Sequence, residues 1–375
     1  MKGTKYIVDM INSKTTEILN KYFGPNGIIT IARKNSQKCH CQSDCDCDCE
    51  SDKDNECGIS ERKVVNITQE KIDNGTYFVC EDNVTINICE DLNITSRGKK
   101  YAAGVINIMG HNNKVDFLNH KIVADGKIAL GIVTGAPNIV TKKFQLTGDG
   151  IISGFYYSAV FASGVDSFIF QNTTVTENTA TDLYNEQGML VPTSFVNCTD
   201  YVTTRVKITK TVSLATGQQI IVSPMLYLNS YGTVDGLKVF DTTSTVGSAL
   251  GFVCENLVGD LPSVSISNFE IRGVTATNMT IGVGLLTGAG ITGYSPTMDK
   301  LNVMNINTTL KDNAAYGIAL SGIVNGSITN SKVMMVTNKI TGGLMNPTLA
   351  SSLYAGASSG NFNVDAKEIN STPVT

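Results

Sequence analysis

Two textures of hydrophobic and polar positions divide this 375-residue chain. In the first, Val8, Ile11, Thr15, Ile18 and Tyr22 recur at intervals of three and four, which places them on one face of a helix. The same positions form an a/d seam. A short helical bundle between chains therefore stays open beside a helix packed on its own domain. Gly24–Gly27 (GPNG) stops the helix, and the apolar run Ile28–Ala32 (IITIA) predicts a strand.

From about Val64 the second texture takes over. Short apolar runs alternate with polar residues, Gly and Asn stand at the breaks, and helical periodicity is absent, as in GVINIMGHNNKVDFLNHKIVAD (Gly104–Asp125) and MLYLNSYGTVDGLKVFD (Met225–Asp241). Successive openings at Val105, Ile132 and Val160 lie about 27 residues apart, and later ones about 24 to 35 apart. Self-similarity at that period predicts a solenoid, in which each unit buries its apolar face only by stacking on its neighbours. All-strand units with Asn at the turns point to a parallel β-helix. There, Asn side chains can hydrogen-bond from coil to coil, and Gly or Asn tolerate left-handed backbone. A β-sandwich, with hairpin turns every 8–12 residues, is the second choice. Three parts follow: residues 1–63, the helix and a Cys-rich anchoring segment; 64–340, the solenoid; and 341–375, a small, polar C-terminal cap or contact tail.

Composition changes this picture by exclusion. A net charge of −4 argues against a general nucleic-acid grip, and no segment reaches eighteen consecutive apolar residues, so no membrane span is expected. The first residues lack the apolar run and small-residue cleavage site of a secretory signal. Three histidines and no Trp lower the expectation of a hydrolase or a lectin. Carboxylates on neighbouring coils are what a glycoside hydrolase of this shape requires. The candidates are Asp149, Asp166, Asp182, Asp200, Asp235 and Asp260, none in a paired-Asp motif. Arg205 is the one candidate lyase base, and Gly148-Asp149-Gly150 reads as a turn. Tyr156 or Tyr157 offers a sugar-stacking ring only if it faces solvent. N-x-S/T triplets at Asn66, Asn74, Asn83, Asn93, Asn172, Asn197, Asn278, Asn307, Asn325 and Asn370 are candidate glycosylation sites, although an Asn- and Thr-rich β-helix also generates such triplets by chance.

Six of the ten cysteines crowd into Lys38–Cys57: Cys39, Cys41, Cys45, Cys47, Cys49 and Cys57, separated largely by Asp. A metal loop, a covalent fastening and a solvated tail with free thiols are all open. Structural zinc sites favour C-x2-C over this C-x-C spacing. Disulfides fit better, because cysteines two apart in an extended segment cannot easily close on each other and look for partners farther away. Six thiols on a polar tether make a multivalent crosslinker. Cys80 and Cys89 flank one turn and are candidates for a local pair, while Cys198 and Cys254 read as buried and inert.

The run Gly75–Ser153 resembles the opening coils of pectate-lyase-like right-handed β-helix proteins, most closely in HNNKVDFLNHKIVAD (His111–Asp125) and GDGIISGF (Gly148–Phe155). The expected fold is therefore all-β, a right-handed parallel β-helix solenoid with a small N-terminal helix and Cys-rich anchoring segment. The acidic segment bearing Cys39, Cys41, Cys45, Cys47, Cys49 and Cys57 resembles the N-terminal segments of surface-fibril proteins of giant viruses of the mimivirus group. That resemblance implies a structural virion-surface fibril or decoration protein, made in the host cytoplasm, crosslinked through these cysteines and carrying glycans. Its expected partners are other copies of itself, with a trimer favoured, and neighbouring fibril or capsid proteins; no cofactor or metal is expected. The alternative is a polysaccharide-binding or polysaccharide-cleaving β-helix of the depolymerase kind.

Overall fold

The computed structural model describes residues 2–35, 62–95, 101–135, 140–184, 188–257, 259, 264–287, 295–309, 313–321, 326–338, 350–355, 362–365 and 368–370. Their architecture is a right-handed parallel β-helix, and every strand pairing is parallel. One continuous ladder passes through Tyr77, Ile106, Ile132, Val160, Thr193, Met225, Phe252, Val283 and Ile318. The coil openings read at Ile132 and Val160 are register partners, and Val105 stands one residue before their partner Ile106. Coil length varies as the sequence suggested. Ile132 lies 26 residues after Ile106, and Ile318 lies 35 after Val283.

Three sheets share each coil, and long strands bend from one into the next. Lys121–Gly135 does this with register shifts between Val123 and Leu130. Gly150–Ser163 turns at Gly154, whose φ is +82° and where an added Cβ would lie 1.9 Å from the Ala124 carbonyl oxygen. Inward positions hold a ladder of buried aromatics, from Phe144 and Phe168 (ring centroids 5.4 Å) through Phe195 and Tyr227 (5.0 Å) to Phe252 and Phe269 (5.1 Å). Turn positions explain the recurring Asn. Asn268, Lys300 and Asn330 follow the register partners Ser267, Asp299 and Thr329 and have φ of +49°, +54° and +48°. Asn112 Nδ2 donates to Asn83 Oδ1 of the preceding coil at 2.6 Å, the coil-to-coil amide bond expected of stacked Asn.

One sheet is buried on both sides. Its strands include Thr193–Val196, Met225–Leu228 and Gly247–Asn256, in which every residue is buried. Its outer side is the seat of α1 (Lys2–Phe23) and α2 (Ile28–Asn35). Of the face read from the sequence, Ile11, Thr15, Ile18 and Tyr22 are 1 to 4 % exposed, and the side chain of Val8 lies outside the described residues. α1 crosses several coils: Tyr22 stacks on Tyr157 at 6.1 Å, Phe23 on Phe161 at 5.4 Å, and Lys14 lies near Gly188. The seam is thus spent on the chain's own solenoid and not on a bundle between chains. The GPNG break falls where expected, since Gly24 N–H closes on Asn20 O at 3.0 Å. Ile28–Ala32 is the exception: it is helical. Ile29 is fully buried with Ile28 and Ala32 packed beside it, positions that share one helical face, and a five-residue apolar run alone does not distinguish the two structures. Strands also continue beyond residue 341. Ala350–Ala355, Phe362–Asp365 and Glu368–Asn370 pair in parallel with the coil before them.

Candidate functional site

Carboxylates on neighbouring coils are what a hydrolase of this shape requires, and one register column brings the candidate Asp235 into line with Asp299. Thr204, Asp235, Ser267, Asp299 and Thr329 form one register column. Each Asp is tied to the following coil. Asp235 Oδ1 accepts from Ser267 Oγ and Asn268 Nδ2, both at 2.6 Å. Asp299 Oδ1 accepts from Thr329 Oγ1 and Asn330 Nδ2, both at 2.8 Å. Two coils thus repeat one staple, a carboxylate met a coil later by a hydroxyl and the adjacent left-handed Asn. The repeat is visible in the sequence as SISN (Ser265–Asn268) and SITN (Ser327–Asn330), each one coil beyond an Asp.

These bonds fix the charge state. Hydrogen bonds from Ser267 and then Asn268 hold the Asp235 carboxyl below the usual carboxylate range, and those from Asn330 and Thr329 do the same at Asp299. The backbone N–H groups of Thr216 and Gly217, 2.9 and 3.0 Å away, lower Asp182. The other candidates do not form an acid–base pair. Asp166 accepts from Thr199 Oγ1 at 2.7 Å, Asp200 is a left-handed turn residue, and exposed Asp149 stands in the turn closed by Gly150 N–H to Gly148 O at 2.8 Å. Asp260 lies outside the described residues. Arg205, the candidate base, is an exposed left-handed turn residue whose N–H donates to Asp235 O at 2.9 Å. A general acid must hold its proton at working pH. Among the described residues the one carboxyl pushed that way is Glu255, and it is buried beneath α1. No group of three or more His, Cys, Asp or Glu side chains suited to a metal occurs among the described residues.

Neither tyrosine of the GFYYS stretch is an open stacking platform. Tyr157 is buried under α1, and half-buried Tyr156 packs on Tyr184 at 6.0 Å. Of the candidate glycosylation sites, Asn66, Asn74, Asn93 and Asn197 are exposed, whereas Asn83, Asn172, Asn278 and Asn307 are half-buried. Asn83, Asn172 and Asn197 are left-handed turn residues, so turn chemistry accounts for those triplets without any glycan. Asn325 and the side chain of Asn370 lie outside the described residues.

The thiols divide three ways. Cys198 and Cys254 are buried, and burial pushes the Cys198 thiol up to about 12, which makes it inert. Cys89 is a free thiol, while Cys80 is disulfide-bonded, so the local Cys80–Cys89 pair is not formed. Cys39, Cys41, Cys45, Cys47, Cys49 and Cys57 lie outside the described residues. Glu255 is not among the residues that the sequence singles out. Its signal was present: in LGFVCENL (Leu250–Leu257) it occupies a strand position whose outward neighbours Val253 and Leu257 are apolar.

No protein-family model matches the chain, and no curated protein matches it. Among solved structures, it is similar to a tailspike protein of E. coli bacteriophage HK620 at 12% identity and a TM-score of 0.30. That match covers 77% of this chain and 58% of the tailspike, so the chain spans little more than half the length of that relative. It is also similar to the A-module of the Azotobacter vinelandii mannuronan C-5 epimerase AlgE4, at 10% identity and a TM-score of 0.26, over 82% of this chain and 94% of the module. The periplasmic alginate epimerase AlgG matches at 10% identity and a TM-score of 0.24, over 78% of this chain and 85% of its own.

Proposed function

We propose that this chain is a structural rod, fastened covalently to its neighbours at the surface of a viral particle through the cysteines of residues 39–57. The observation that carries this reading is the crowding of six of the ten cysteines into one acidic, polar stretch, Lys38–Cys57, ahead of the solenoid. Six thiols on such a tether make a multivalent crosslinker, and a rod stiffened by stacked coils is a suitable body to fasten. Self-association, with a trimer favoured, neighbouring fibril or capsid proteins and a glycan coat on exposed Asn66, Asn74 and Asn93 belong to the same proposal.

The test is a variant with Cys39, Cys41, Cys45, Cys47, Cys49 and Cys57 all changed to Ser. Its β-helix circular-dichroism signal is expected to persist, because the solenoid's interior cluster begins at Ile67. Covalent multimers are expected to vanish. Loss of the folded signal would place the segment in the core and sink the tether.

A second reading rests on the Thr204–Thr329 column. Hydroxyls and ionised carboxylates repeated at coil spacing offer acceptors to a polysaccharide laid along the rod. Acid–base cleavage has no support among the described residues, so this reading predicts binding without release of reducing ends.

A further inference from the structure

The seat of α1 contains one group out of keeping with it. Glu255 projects outward from Gly247–Asn256 and is 1% exposed, and neither carboxylate oxygen has a hydrogen-bond partner among the described residues. Its register neighbours are Leu228 on one coil and Leu286 on the other, and Val253 precedes it on the same side of its own strand. None of the three carries a charge. From α1 the charged group that faces it, among the described residues, is Asp9, of the same sign. Lys14, farther along α1, is engaged with Glu17 at 3.1 Å and lies over Gly188. An ionised carboxylate in this position is neither solvated nor paired, and the cost of such burial is what drives a group to stay neutral or to leave.

We propose that Glu255 is a proton-operated latch for the N-terminal helix: with its carboxyl neutral α1 stays seated, and loss of that proton to solvent lifts the N-terminal half of α1 from the sheet and bares the apolar strip beneath. Tyr22 and Phe23 stack on Tyr157 and Phe161 at the far end, and α2 extends that attachment with buried Ile29. Release therefore begins at the Asp9 end and leaves the interior of the solenoid in place, since Cys254 and Phe252 point to the other side of the strand. The strip uncovered includes Leu226, Leu228, Val253 and Leu286, an apolar surface that a second copy can cover.

Burial, and then the charge of Asp9, pushes the Glu255 carboxyl up to about 8. A seated state with that value and a released state with an ordinary glutamate value near 4.3 differ in bound protons throughout the interval between them. The seated form binds more, so its advantage is complete below the lower value. It falls about tenfold per pH unit up to about pH 8 and stays level beyond it.

Hydrogen exchange of the full chain at pH 6 and pH 8, corrected for intrinsic exchange rates, tests this. Protection of the α1 amides is expected to fall by about fiftyfold between the two, while amides around Phe195 and Tyr227 keep theirs. Glu255→Gln is expected to abolish the pH dependence. Glu255→Leu, which matches Leu228 and Leu286, should also abolish it and raise α1 protection at both pH values. Asp9→Asn keeps the dependence but moves its upper limit to lower pH. Three results would overturn the latch: pH-independent protection in the parent chain, pH dependence surviving in Glu255→Gln, or parallel loss of protection throughout the rod.

Discussion

Tyr227→Ala is expected to destabilise the rod by about 4–5 kcal/mol, the upper range for truncating a buried aromatic. Tyr227 is fully buried and lies between coils, stacked on Tyr201 at 4.0 Å and contacting Phe195 at 5.0 Å and Phe252 at 5.7 Å. Truncation leaves a cavity at the junction of these aromatic contacts. It also deprives the Thr203 hydroxyl of the Tyr227 hydroxyl with which it pairs. Because each coil of a solenoid is supported only by its neighbours, the loss should be regional at first. Hydrogen exchange should show protection falling over Thr193–Val196, Met225–Leu228 and Gly247–Asn256 before the outer coils. Denaturant titration gives the magnitude. Tyr227→Phe keeps the ring and should cost about 1–2 kcal/mol, which separates the packing contribution from the hydroxyl pair.

The second large effect concerns the strap. Ile18 and Tyr22 are 1 and 3% exposed, and each contributes about 1.5–3 kcal/mol by burial against the sheet. Changing both to Asp removes that burial and places two unpaired charges in an apolar seat. α1 is expected to detach completely. The solenoid should survive, because its interior cluster contains no residue of α1 or α2. Far-ultraviolet circular dichroism should lose helix and keep strand. A hydrophobic dye should bind where the parent binds none, and the variant should dimerise or aggregate through the bared strip. Unfolding of the whole solenoid would show that α1 is a part of the core and not a covering laid on it.

Much of this architecture was written in the residue pattern, for a physical reason. A coil that alternates inward apolar and outward polar residues must repeat that pattern every turn, so the openings at Ile132 and Val160 declare the coil length directly. The helix face at Ile11, Thr15, Ile18 and Tyr22 was equally plain, because its period differs from that of the strands. What stayed hidden depended on which elements meet. Runs such as MLYL (Met225–Leu228) are apolar on both faces because the outer face lies under α1, and a run of that kind does not report its cover. Ile28–Ala32 reads as a strand for the same reason, being short and apolar with no partner in view. The carboxylates were legible as residues but not as staples, since Asp235 and Asp299 acquire their role only from the Ser/Thr-Asn pair one coil later. Glu255 takes its meaning from a helix more than two hundred residues away in the chain.

The fastened rod is tested most directly by a denaturing gel of the protein from its native source, run with and without reductant. The account predicts a ladder of covalent multimers that collapses to one band near 40.1 kDa, broadened where glycans are attached, when reductant is added. A single monomer band in both lanes would contradict it, because every thiol of residues 39–57 would then be free or closed within its own chain.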